Sequence, residues 1–222
     1  MIVATFLVIF LVQTFIGRIY LIPSASMEPT LHGCEGCTGD RIFVEKVSYY
    51  GSDPQPGDVV VFAGTDSWNQ TFITQRSENT LVRGAQNLAA MVGLVPPDEN
   101  DLVKRIVAAG GQTVSCQEGD PAVMVDGKPT DQSFTLDPPQ YPVDPRFGSQ
   151  ACGGEYFGPV LVPEGHFFMM GDNRTNSQDS RYHLGDEFQG TIPEENIRGK
   201  VVARIWPPSR IGGVDHAELS EQ

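Results

Sequence analysis

The 222-residue chain carries 28 acidic against 15 basic side chains and a formal charge of −13, which excludes the clustered Lys and Arg that nucleic-acid binding needs. Its length suits one sizeable globular domain with a large insertion, rather than a disordered chain.

In chain order, residues 1–17 (MIVATFLVIFLVQTFIG) carry no charge and would span roughly 25 Å as a helix. Extension through Tyr20 and Ile22, with Arg18 snorkelling, brings the segment to bilayer thickness. A membrane anchor over 1–19 is the expectation. A cleaved signal peptide is the alternative, but no basic residue precedes the run and it is longer than an h-region.

The stretch Asp40–Tyr50 (DRIFVEKVSYY) and the stretch Gly57–Phe62 (GDVVVF) are β-branched, aromatic and bounded by Gly and Pro, so both predict strands. Residues 79–94 place Leu81, Val82, Ala85, Leu88, Ala89 and Val92 on one helical face, expected to pack on the sheet, with a membrane-lying helix as the alternative. Asp101–Ala109 (DLVKRIVAA) predicts a strand, and Asp126-Gly127 a hairpin turn. From Gln117 to Pro163 the chain fills with Pro, Gly, Asp and Gln, suggesting a loop-rich insertion. Strands resume at GHFFMMGDN and GKVVARIWP, and the polar tail after Pro207 is expected to be disordered.

Four cysteines, Cys34, Cys37, Cys116 and Cys152, suggest an exported domain with two disulfides. Of three possible pairings, locality favours Cys34 with Cys37 and Cys116 with Cys152. A zinc site would want a second close pair, which is absent.

Three segments bear candidate chemistry. In PSASM, an extended backbone would put Ser24 and Ser26 on one face, one to attack a carbonyl and the other to stabilise the oxyanion. Lys104 is one of only four lysines. Its neighbours Leu102 and Ile106 suggest burial, which lowers an amine's pKa and makes it available as a general base. In MGDNRTNSQDSR, Ser177 is placed to orient that amine, and Asp179 and Arg181 to form an ion pair holding the loop.

Together these segments resemble the bacterial type I signal peptidases, membrane-anchored serine proteases with a Ser-Lys dyad. PSASMEPTL is similar to the nucleophile motif, GDRIFVEK and GDVVVF to the next two boxes, KRIVAAGG to the lysine box and MGDNRTNSQDSR to the last. The resemblance implies Ser26 as nucleophile followed by Met27, Ser24 as oxyanion donor, Lys104 as general base and Ser177 as the lysine's partner. It implies S1 and S3 pockets near Ile22, Pro23, Leu31, Leu102 and Val103, suited to small side chains. The implied fold is mainly β: a coiled antiparallel catalytic core over 20–111 and 166–207, an inserted subdomain over 112–165, and a disordered tail over 208–222. The expected substrate is the signal-peptide region of exported preproteins, cut after small residues of Ala-x-Ala type. No metal or organic cofactor is required. The expected setting is the bacterial plasma membrane, a single pass with the catalytic domain outside, in contact with the lipid bilayer and working as a monomer.

Two other enzymes and a binding module compete. A Ser-His-Asp hydrolase would use His32, His166 or His183, but no G-x-S-x-G elbow is present. A Ser-Lys autoprotease of the stress-repressor type would have no reason for an anchor. An anchored acidic binding domain would leave the Ser, Lys and GDNR segments accidental.

Overall fold

The structure is a computed structural model that describes residues 8, 11–34, 37–70, 77, 79–91 and 100–219. Its strands are β1 (Gly17–Leu21), β2 (Arg41–Glu45), β3 (Val59–Ala63), β4 (Asp101–Ala109), β5 (Thr113–Cys116), β6 (Met124–Val125) and β7 (Lys128–Pro129). They continue as β8 (Gly148–Ser149), β9 (Gly154–Glu155), β10 (Phe157–Leu161), β11 (His166–Met170), β12 (Ile192–Pro193), β13 (Ile197–Trp206) and β14 (Gly212–Gly213).

The main sheet runs β1-β2-β13-β3-β4-β11-β12, with β14 on β13, and every pairing in it is antiparallel. The predicted strand over Asp40–Tyr50 ends early: β2 stops at Glu45 and Val47–Tyr50 forms a 3-10 turn. β3 and β4 match their predictions closely, and their register sets Val60 opposite Lys104. The β-branched residues of β3 are buried on both faces, which explains its unbroken apolar sequence.

Residues 112–165 build a separate sheet, β10-β5-β6-β7, and the small pair β8-β9. Asp126 and Gly127 turn the β6-β7 hairpin with φ of 51° and 74°, the paired left-handed conformation that Asp-Gly favours. The apolar core beneath this sheet is shared with the main body, since Val114, Val123 and Phe157 pack with Val107, Phe168 and Met170. The Cys116–Cys152 and Cys34–Cys37 disulfides are both formed.

Three expectations are corrected. Of the anchor expected over 1–19, residues 1–7, 9 and 10 lie outside the described residues, and it is the C-terminal end that is corrected. There Val12–Ile16 is a short π-type turn and Gly17–Leu21 is already strand β1, hydrogen-bonded to β2, so no helix extends through Tyr20. No helix among the described residues is long and apolar enough to cross a membrane.

The helix Thr80–Met91 exists, but the described side chains at the start of its apolar face do not pack on the sheet, while the side chains of Leu88 and Val92 lie outside the description. Leu81 is 85 % and Val82 46 % exposed, and Ala85 is exposed as well. A helical period reports an apolar face, not what covers it.

The tail is ordered through Leu219. β14 pairs with β13, Arg210 grips Asp40 through Nε at 2.9 Å and a terminal nitrogen at 3.0 Å, and Val214 and Leu219 are buried. Its polar composition conceals two apolar side chains that reach the core, and backbone bonds from Ala217 to Gly57 and from Asp131 to Leu219 fasten it there.

Candidate active site

The turn after β1 carries the serines. Ser24 is extended and Ala25–Met27 forms a single 3-10 turn, so the stretch is not extended throughout as expected. The two hydroxyls nonetheless lie 3.3 Å apart. The turn is anchored from below by Met27, which is buried in one cluster with Ile22, Leu31, Ile42 and Val59.

Lys104 enters from the middle of β4 and its Nζ donates to Ser26 Oγ at 2.8 Å. It is only 4 % exposed. Burial brings the Lys104 pKa down to about 8, against the opposing attraction of Asp179 and Asp172 and with a small contribution from Arg181. A hydroxyl hydrogen-bonded to a buried amine that titrates near neutral pH can transfer its proton to that amine.

The loop after β11 surrounds this pair. Asp179 receives Arg181 Nε and a terminal nitrogen, both at 2.8 Å, and the Gly171 N–H at 3.0 Å. Burial works against the Asp179 carboxylate, yet Arg181 and these hydrogen bonds outweigh it and hold its pKa below the ordinary value. The expected Asp179–Arg181 ion pair is therefore present and buried. Ser177 is also buried, but its Oγ has no hydrogen-bond partner among the described residues. The expected Ser177–Lys104 bond is not formed. The hydroxyl turns instead toward Gly171, whose missing side chain leaves room for it.

Several supporting residues escaped the sequence reading. Arg105, next to Lys104, is buried and makes a two-pronged bond to Asp172, with Nε at 2.9 Å and a terminal nitrogen at 2.7 Å, while its other terminal nitrogen reaches Gly57 O at 2.7 Å. Phe134 of the insertion lies under its guanidinium, 4.2 Å from the ring centre. Arg174 bonds Gly171 O and Gln132, and burial with the nearby Arg181 charge lowers its pKa to about 10. The signal for Arg105 and Asp172 was adjacency, since both sit inside the motifs quoted for Lys104 and Ser177.

Of the expected pocket residues, Ile22, Met27, Leu31 and Val103 share one cluster. Leu102 packs in another, with Phe62, Trp68 and Ile106, and Pro23 is exposed. Two of the three candidate histidines are engaged elsewhere: His166 Nδ1 meets Glu164 O at 3.1 Å and His183 stacks on Trp68 with ring centres 4.5 Å apart.

A mainly β frame that sets a serine hydroxyl against a buried lysine amine has the layout of a hydrolase with an amine base. Residues 1–206 match the family described as signal peptidase, peptidase S26. A probable signal peptidase I of Mycobacterium leprae is 51% identical over 217 residues, covering 92% of this chain and 74% of that protein. The signal peptidase I of Mycobacterium tuberculosis is 51% identical over 210 residues, covering 92% and 70%. A probable thylakoidal processing peptidase 2 of Arabidopsis thaliana is 32% identical, covering 90% and 41%. The chain belongs to the signal peptidase S26 family, and with it to the serine endopeptidases.

Proposed function

We propose that the protein removes N-terminal signal peptides from exported preproteins through a Ser26–Lys104 dyad, cutting after small residues. The observation that carries this reading is the 2.8 Å bond between the Lys104 amine and the Ser26 hydroxyl, made by an amine whose pKa burial brings to about 8.

In this mechanism neutral Lys104 takes the Ser26 proton as Oγ attacks the scissile carbonyl. The Ser24 hydroxyl and the Ser26 N–H receive the oxyanion. Protonated Lys104 gives its proton to the leaving amine, an acyl-enzyme remains on Ser26, and the amine, neutral again, activates water to release it. Asp179 and Arg181 hold the loop that walls the lysine. The substrate would lie as an extended strand along the start of β4, its small side chains over Val103 at the exposed edge of the cluster whose buried part is Ile22, Met27 and Leu31.

The setting is a membrane surface outside the cytoplasm, reached by an anchor formed from the apolar run at the start of the chain. Exposed Phe15, Ile16, Ile19 and Leu21 continue that apolar character into β1 and up to Ile22, so the serines would sit where a substrate's own apolar segment ends.

The test is cleavage of a preprotein by Ser26→Ala and Lys104→Ala. The reading expects both to be inactive, and near-normal cleavage by either overturns it.

A further inference from the structure

Asn173 is completely buried and holds the nucleophile's turn by two hydrogen bonds. Its backbone N–H donates to Ser26 O at 3.1 Å, and its side-chain Nδ2 donates to Ala25 O at 3.0 Å. The second bond has a geometric consequence. The carbonyl of Ala25 and the N–H of Ser26 belong to one planar trans peptide and point in opposite directions. A donor fixed on the Ala25 oxygen therefore fixes where the Ser26 N–H points, and polarises the peptide so that this N–H donates more strongly.

The Asn173 amide is itself held. Its Nδ2 also donates to Gln140 Oε1 at 2.7 Å, which uses both hydrogens of the amide nitrogen. Gln140 accepts a second bond from Asn176 Nδ2 at 3.0 Å. Gln140 belongs to the inserted segment, and two bonds from that segment's backbone N–H groups lay it along the loop: Leu136 N–H to Asp172 O and Tyr141 N–H to the Thr175 hydroxyl Oγ1, both at 3.1 Å.

We infer that Asn173 is a positioning residue for the backbone oxyanion donor, and that Gln140 extends the control of that donor into the insertion. The inference rests on the Ser26–Lys104 reading and deepens it. It gives the inserted subdomain a part in catalysis: Gln140 orients the Asn173 amide, Asn173 orients the Ala25–Ser26 peptide, and that peptide meets the charge that develops on the substrate oxygen.

The experiment compares Asn173→Ala, Gln140→Ala and Gln140→Glu at about pH 9, where most Lys104 is neutral. Three quantities are read: kcat and KM on a preprotein, the affinity of a peptide aldehyde that forms a tetrahedral adduct on Ser26, and the affinity of an uncleavable peptide of the same sequence. Asn173→Ala is expected to lower kcat by about 10- to 100-fold, short of the loss for a donor removed outright, with KM within about twofold. The aldehyde should weaken in parallel while the uncleavable peptide binds as before.

Gln140→Ala should show the same pattern at about fivefold. Gln140→Glu, which keeps the accepting oxygen, should restore most of that loss. Gln140 is exposed, so its variants carry the same test if Asn173→Ala does not fold. A kcat within about threefold of the parent in the folded variants, or a kcat loss with unchanged aldehyde affinity, overturns the inference. The dyad fails separately: an active Ser26→Ala overturns the dyad, whereas an inactive Ser26→Ala beside a fully active Asn173→Ala overturns only the role of Asn173.

Discussion

Lys104 donates to the Ser26 hydroxyl at 2.8 Å across 78 residues of sequence. The strand β4 supplies the amine and the turn after β1 supplies the hydroxyl, so the antiparallel sheet is what brings them together. The pH dependence of cleavage follows from this contact. With the amine pKa lowered to about 8, the rate should fall about tenfold per pH unit below that value and level off above it. Lys104→Arg, charged at every working pH, should be inactive. A preprotein cleavage profile between pH 6 and pH 10, about two units to either side, checks both.

The same shift has a stability counterpart. Between pH about 8 and 10.5, the lowered and ordinary values, unfolded Lys104 binds more protons than folded Lys104. Its contribution to stability therefore rises with pH across that window. Below about 8 both states are protonated, and the cost of burying the ammonium is felt in full. Urea unfolding at several pH values, compared between the parent and Lys104→Met, should show the difference narrowing as pH rises.

Arg105 and Asp172 are buried together, so removing one partner strands the other. Arg105→Met should destabilise the fold by about 3 to 5 kcal/mol. Arg105→Met with Asp172→Asn should recover part of that, because no uncompensated charge remains. Urea midpoints of the two variants give the comparison.

Gly171 lies where a methyl group would collide with both Ser26 O and Ser177 Oγ. Gly171→Ala should push the nucleophile's turn out of line and lower kcat by about 100-fold, the scale expected of displacements near 1 Å. Single-turnover cleavage by the folded variant measures it.

The two disulfides should differ in worth. Cys116–Cys152 closes a separation of 36 residues and Cys34–Cys37 one of 3. By loop entropy the first should contribute about 4 kcal/mol and the second under about 2 kcal/mol. Thermal melts of the paired Cys→Ser variants should rank them in that order.

Much of this site was legible in the chain because its chemistry sits in short motifs. PSASM, KRIV and the GDNR segment carry the serines, the lysine, Asp179 and Arg181, and β4 was readable from its own run of apolar residues. What was not legible depends on contacts distant in sequence. Nothing near Gln140 says that it meets Asn173, and nothing in a polar tail says that Val214 and Leu219 are buried. The helix Thr80–Met91 shows the converse. Its pattern gave the element, but a period cannot say whether Leu81 faces a sheet, a lipid or water. Ser177 was placed in the right loop, yet which neighbour its hydroxyl faces is decided by the space beside Gly171.

The dyad is tested most directly by mapping the acyl-enzyme. A preprotein-derived peptide ester is mixed with the protein, the reaction is quenched in acid, and the adduct is located by peptide mass spectrometry. The account predicts the acyl group on Ser26, absent in Lys104→Ala. An adduct on another residue, or full acylation of Ser26 without Lys104, would contradict it.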